Sequence, residues 1–230
     1  MKSNTPSNST KIYDLIGEDE GTITSISVQK TNKARYSIFL NNQFLIGISE
    51  TTLIEFKLER GTKISQTKLN RVIEFEESQR IKDYLLGLQS RRDHSSRELL
   101  QKAIKKGYDS EITKKNLSVL ESKGYIDDHA FARKFTHDKF AFNDWGKQKI
   151  RMELVKKGIL PDVINTALAQ ISEQETHDRI KQVFEKSKAR FQRTEKNKRQ
   201  KKLFDFLVRK GYDIPIVLEI LPNLLKKMES

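Results

Sequence analysis

The chain contains no cysteine, so disulfides, zinc-thiolate sites and thiol nucleophiles are excluded at once. Long apolar runs are missing too: nowhere do about eighteen apolar residues follow one another, the length a membrane-spanning helix needs. The N-terminal MKSNTPSNST is polar and lacks the apolar stretch of a secretory signal, so the expected location is the cytoplasm. Histidine is sparse. His94, His129, His137 and His177 form no metal-binding spacing, and each is expected at the surface. Gly146-Lys147 has the look of a phosphate loop, yet Ala141 stands where the earlier glycine belongs and Gln148 where a Ser or Thr would follow. No catalytic, metal or cofactor site is expected, and no enzyme. Acidic residues are also short: 31 Asp and Glu against 44 Lys and Arg leave a net charge of +13, which favours polyanions or acidic protein surfaces by long-range attraction.

What the chain does have is a repeat. From Ser95 to Asp128, apolar residues at Leu99, Ala103, Ile112, Leu117 and Leu120 recur at helical spacing on either side of Gly107-Tyr108, which describes two amphipathic helices joined by a tight turn. Ser95 and Glu98 fit a capping box at the start of the first helix. Lys105-Lys106 place cations in its last turn, where they complement the helix dipole, and Gly107 follows as a residue free to take positive φ. When Gly107, Gly158 and Gly211 are aligned, Leu99 matches Ile150 and Leu203, and Ala103 matches Leu154 and Leu207. Beyond the glycine, Leu117 matches Leu168 and Leu221, and Leu120 matches Ile171 and Leu224. A repeated apolar register of this kind marks stacked units, each burying its face against the next. Asp127 and Asp128, at a helix start, are expected to cap it.

Upstream, GTITSISVQK and RYSIFLNNQFLIGIS read as short antiparallel strands turned at Asn41-Asn42, with helices over residues 49–58 and 66–89. The expected fold is mainly α: tandem three-helix repeats in an elongated array, with a small N-terminal β-hairpin-containing element. The expected division is a disordered tail at 1–10, the β-containing element at 11–60, a lead-in helix at 61–94, repeats at 95–142 and 143–192, and a truncated repeat at 193–230. Each repeat takes as its third helix the one that follows its hairpin. Positive charge concentrates in the last two repeats, and the candidate binding residues are Lys147, Lys149, Arg151, Lys156, Lys157, Lys186, Lys188, Arg190, Arg193, Lys198, Arg199, Lys201, Lys202, Arg209 and Lys210.

Four motifs in order carry a resemblance: S-x-x-E-L from Ser95, K-K-G-Y from Lys105, G-Y-I-D-D-x-x-F-A from Gly124 and R-x-E-L-x-x-K-G-I from Arg151. Over about residues 80–225 the chain resembles the RecX family of bacterial regulatory proteins, modulators of the RecA recombinase. The resemblance implies an all-helical body that binds in the groove of the RecA-DNA filament and inhibits RecA ATPase, recombinase and coprotease activities, in the setting of DNA repair, homologous recombination and the SOS response. It implies no enzymatic activity and no cofactor. A monomer is expected, with weak direct contact to single- or double-stranded DNA compatible with the charge. Short helices with glycine turns also fit a helix-turn-helix protein acting on duplex DNA. The spread of basic residues over all three units favours filament or backbone binding instead.

Overall fold

The computed structural model describes residues 20–229, so the expected tail at 1–10 lies outside the described residues. The chain separates into two compact units: residues 20–87 with 102–119, and 88–101 with 120 onward.

The first unit opens on a four-stranded antiparallel sheet of order β3-β2-β1-β4, from Gly21–Val28 (β1), Arg35–Leu40 (β2), Gln43–Ser49 (β3) and Lys63–Ile64 (β4). Asn41 and Asn42 make the β2-β3 turn at φ of 50 and 65°, the left-handed pair that matches the twist of the flanking strands. A bulge in β1 between Ile23 and Ser25 shifts the apolar alternation from odd to even positions, which accounts for the break in pattern before Ile26 and Val28. β4 falls in the stretch assigned from sequence to the lead-in helix, since two residues are too few to show a period.

Helix α1 (Glu50–Glu55) is capped by Ser49, and α2 spans Gln66–Gln89. One side of α2 carries Leu69 and Val72 into a core shared with Ile23, Ile38, Leu40, Leu45, Ile48 and Ile64. The same helix inserts Glu76, only 3% exposed, whose Oε2 accepts from Ser49 N (2.8 Å), Ser49 Oγ (3.0 Å) and Thr52 Oγ1 (2.6 Å). Its Oε1 pairs with Arg35 Nη1 at 2.9 Å. One carboxylate thus ties β2, the α1 cap and α2 together.

The first hairpin consists of α3 (Ser96–Lys106) and α4 (Ser110–Ser122). Within the first unit α2 is bound to it: Ser78 Oγ and the Asn116 side chain bond at 2.9–3.1 Å, Tyr84 Oη donates to Lys102 O at 3.4 Å, and the Tyr84 and Tyr108 rings meet at 5.4 Å.

In the second unit, α5 (Asp128–Asn143), α6 (Lys147–Lys156) and α7 (Pro161–Ala169) share one core, and α8 (Glu173–Gln192), α9 (Lys196–Lys210) and α10 (Ile214–Glu229) share another. The cores therefore join the second and third hairpins each to the helix before it, whereas spacing alone had joined a hairpin to the helix after. Sequence periodicity shows which face of a helix is apolar but not which neighbour covers it. The aligned apolar positions behave alike: Leu99, Ile150, Leu203, Ala103, Leu154 and Leu207 are all 0% exposed.

Each of the later glycine turns receives the start of the preceding hairpin. Gly146 N donates to Lys210 O at 2.8 Å and Gln148 N to Gly211 O at 3.0 Å, while Gln148 Nε2 reaches Asp213 Oδ1 at 2.6 Å. One unit earlier, Ser95 Oγ donates to Lys157 O at 2.7 Å. At the Gly211 turn backbone N–H groups left unpaired at a helix start thus meet carbonyls left unpaired at a helix end, and at the Lys157-Gly158 turn a hydroxyl does the same.

Ser95 and Glu98 form the expected reciprocal capping pair (3.2 and 3.3 Å), and Glu98 Oε1 also accepts from Lys157 Nζ at 2.7 Å. Burial pushes the Glu98 carboxyl up, but the hydrogen bonds from Lys157 and the Ser95 backbone, with the charges of Lys157 and Arg92, bring it below its ordinary value of 4.5. A lowered carboxylate stabilises the fold above its unfolded pKa and loses that contribution as pH falls through the folded one. Thermal melts should show stability dropping below about pH 4.5. Lys157→Met should flatten that drop, and an unchanged profile would mean that the pair contributes nothing.

Candidate interaction surface

The structure sorts the basic candidates by what already holds them. Lys147 Nζ donates to Ile171 O (2.6 Å), Arg151 Nη1 to Asn165 Oδ1 (2.7 Å), and Arg199 to Thr194 O and Gln192 O (2.8 and 2.9 Å), so these three serve the ends and flanks of neighbouring helices. Lys156 pairs with Glu153, Lys157 with Glu98, and Lys198 with Glu195, each at 2.7 Å. Lys186 Nζ lies 3.2 Å from Asp144. Arg193 and Lys201 are exposed, and Lys188 is half-buried.

Arg190, Lys202 and Arg209 come together. With Phe191, Thr194, Asp205 and Val208 they line a cavity of about 530 Å³ between α8 and α9. Lys202, Asp205 and Arg209 share one face of α9 because they are spaced three and four apart. Three cations and one carboxylate thus line the cavity with Phe191 and Val208 as its apolar part, and Arg209 Nε donates to the Asp205 backbone carbonyl at 3.3 Å.

A second cationic surface joins the candidate Lys149 to aromatic residues and a lysine, Lys139, that the sequence had not singled out. On α5 and the turn after it, Phe131 and Phe135 lie nearly parallel at 5.9 Å and Trp145 meets Phe135 edge-on at 6.4 Å. Lys139 Nζ sits 5.3 Å from the Phe135 centroid and 5.2 Å from that of Trp145, and Lys149 Nζ lies 4.4 Å over Trp145. The four-residue steps Phe131, Phe135, Lys139 were visible as one helix face, but Trp145 and Lys149 reach it only through the turn into α6.

The acidic pair divides its work. Asp127 caps α5 by accepting from Ala130 N at 2.9 Å, while Asp128 Oδ1 accepts from Ser96 N at 2.9 Å. Burial chiefly pushes the Asp128 carboxyl up, against the Ser96 hydrogen bonds and with help from Glu121 and Asp127. His94 corrects an expectation: it is 4% exposed, its Nδ1–H donating to Arg92 O at 2.8 Å and its backbone N–H to Gln89 Oε1 at 3.1 Å, so local polar groups satisfy it away from water. His177 gathers with Glu173 and Glu219, one ligand atom from each lying within 4.8 Å of the others. Linear spacing hid this because Glu219 belongs to α10. No helix among the described residues is long and apolar enough to cross a membrane.

Two family patterns match the chain: Regulatory protein RecX N-terminal domain over residues 21–65, and RecX, second three-helix domain, over 127–168. The Regulatory protein RecX of Halalkalibacterium halodurans is 30% identical over 212 residues, spanning 90% of this chain and 80% of the relative. The chain belongs to the RecX family. The RecX of Clostridioides difficile is 27% identical over 205 residues, 89% of this chain and 96% of the relative. A crystal structure of regulatory protein RecX shares the fold at a TM-score of 0.74 and 24% identity, covering 88% of this chain and 99% of that one. RecX from Lactobacillus salivarius superposes at a TM-score of 0.58 and 18% identity, over 66% of this chain and 97% of that one. The RecX three-helix pattern at 127–168 runs from the Asp127 cap through α5, α6 and α7, the same helices that share a core here.

Proposed function

We propose that this RecX protein binds the RecA filament on DNA and modulates it, in the direction of inhibiting RecA ATPase, recombinase and coprotease activities, without catalysing a reaction of its own. It acts as a monomer in the cytoplasm and needs no cofactor. The observation that carries the reading is the α8-α9 groove, whose lining holds three cations, Arg190, Lys202 and Arg209, and a single carboxylate, Asp205. Both DNA phosphates and acidic protein surface would be drawn to such a groove, and a regulator that acts by occupying a filament needs that kind of attraction. Family membership supplies the regulatory setting. Arg199 and Lys147 hold helix ends and are poor choices for a binding test, because their loss would disturb the fold as well.

The test is binding of Arg190→Gln/Lys202→Gln/Arg209→Gln to RecA filaments on single-stranded DNA across a salt series. Wild type should bind with an affinity that falls steeply as salt rises. The triple variant should bind more weakly and with a shallower slope, because exposed charges are screened over about 10 Å at 0.1 M salt. Unaltered affinity and slope would remove the groove from the account. Equal losses on filaments and on bare duplex would favour the duplex-binding alternative.

A further inference from the structure

The aromatic face of α5 is also the floor of a cavity. Phe131 and Phe135 line a space of about 330 Å³ together with Arg92, Lys134, Lys139 and Lys157, against Asp93 and Asp138. Lys134 is paired with Asp93 at 2.6 Å, and Lys157, which also lies 5.7 and 5.4 Å from the Phe131 and Phe135 ring centroids, is held by Glu98 at 2.7 Å. Lys139 differs: its ammonium meets two ring faces and, among the described residues, no carboxylate within ion-pair distance, and Lys149 on Trp145 is in the same position. A ring face holds an ammonium by roughly 0.5–1 kcal/mol where it is exposed, much less than a charge-assisted bond to an anion offers. These two lysines are therefore available to an anionic ligand, and their departure uncovers aromatic surface beside it.

Anions near flat, partly exposed rings are the chemistry of a nucleotide strand, whose bases stack on aromatic side chains while cations follow the phosphates. We infer that this cavity takes a single-stranded nucleic acid, with a base laid against Phe135 and neighbouring phosphates held by Lys139 and Lys149. A duplex keeps its bases stacked inside and offers the rings nothing but backbone. An acidic peptide offers charge without a π face. The single-stranded partner is the one that uses both halves of the site. The inference deepens the proposed function by naming a nucleic-acid contact separate from the α8-α9 groove; it rests on that reading for its biological setting, not for its geometry.

Trp145 is the sole tryptophan of the chain, so the site carries its own fluorophore. The experiment titrates the full-length protein, without RecA, with a short oligothymidylate and follows tryptophan emission. Saturable quenching is expected. Phe135→Leu, which keeps apolar bulk under the cavity, should weaken binding about tenfold, in line with the loss of one stacked base. Lys139→Gln should weaken it too and lower the salt slope by roughly 0.7, the share of one phosphate on a single strand. Melting curves of both variants report whether they fold, and Lys139→Gln decides alone should Phe135→Leu fail to. The groove variant Arg190→Gln/Lys202→Gln/Arg209→Gln should retain the quench, so a failure of the filament reading is distinguishable from a failure here. The inference is overturned if no saturable quench occurs or if neither variant alters it. It is equally overturned if a duplex of the same length binds as tightly, or if oligoglutamate displaces the strand at equal charge concentration.

Discussion

Gly146→Ala and Gly211→Val are expected to destabilise the second unit far more than Gly107→Ala destabilises the first hairpin. All three positions look alike in sequence as glycines beside helix ends, but they differ in what a side chain would meet. At Gly211 φ is 90°, and an added Cβ would fall 2.4 Å from the Lys149 backbone nitrogen. A β-branched residue there meets both penalties, left-handed backbone and a collision with main chain, for a combined cost of about 2–5 kcal/mol. Gly146 isolates the second penalty. Its φ is −80°, which any residue adopts, yet a Cβ would lie 2.2 Å from the carbonyl of Gly211 and would force apart the Gly146 N to Lys210 O bond. Gly107 isolates the first, with φ of 95° and nothing within 4 Å of an added Cβ, so alanine costs only about 1–2 kcal/mol. Thermal melts of the three variants should order them accordingly. Equal losses at 107 and 146 would mean that the helix start at Gly146 does not dock against the turn at Gly211.

Glu76→Ala should be the most damaging single change in the first unit. The side chain is nearly inaccessible and holds Arg35, both polar hydrogens of Ser49 and the Thr52 hydroxyl. Truncation leaves a guanidinium and several donors without their acceptor, and breaking a buried pair on one side costs about 3–5 kcal/mol. Replacing both charged partners together, as in Arg35→Met/Glu76→Met, should cost less than Glu76→Ala alone, because no charge is then stranded. Hydrogen exchange should accelerate across β2, β3 and α1 while α8 to α10 keep their protection. Uniform exchange in the variant would show that the carboxylate is a bystander.

Much of this architecture can be read in the chain before any coordinates. Leu99, Ile150 and Leu203 announce a repeat because a buried helix face constrains residue type locally, and Asn41-Asn42 announces a hairpin because few residues accept paired positive φ. The Ser95-Glu98 cap was legible for the same reason, being complete within four residues. What escaped depends on partners distant in sequence. Which helix completes each hairpin, the pairing of β4 with β1, and the meeting of His177 with Glu219 are settled by tertiary packing and leave no local period. The basic residues show the limit most plainly. Arg199 and Lys202 are neighbours in one run of like charge, yet Arg199 closes a helix end and Lys202 faces a groove, and only the fold separates the two roles.

The measurement closest to the central claim is RecA ATP hydrolysis on single-stranded DNA with this protein titrated in, alongside the Arg190→Gln/Lys202→Gln/Arg209→Gln variant. The account predicts a saturable fall in hydrolysis with the wild-type protein and a markedly higher concentration of the folded variant for the same effect. Hydrolysis unchanged at saturating wild-type protein would contradict it.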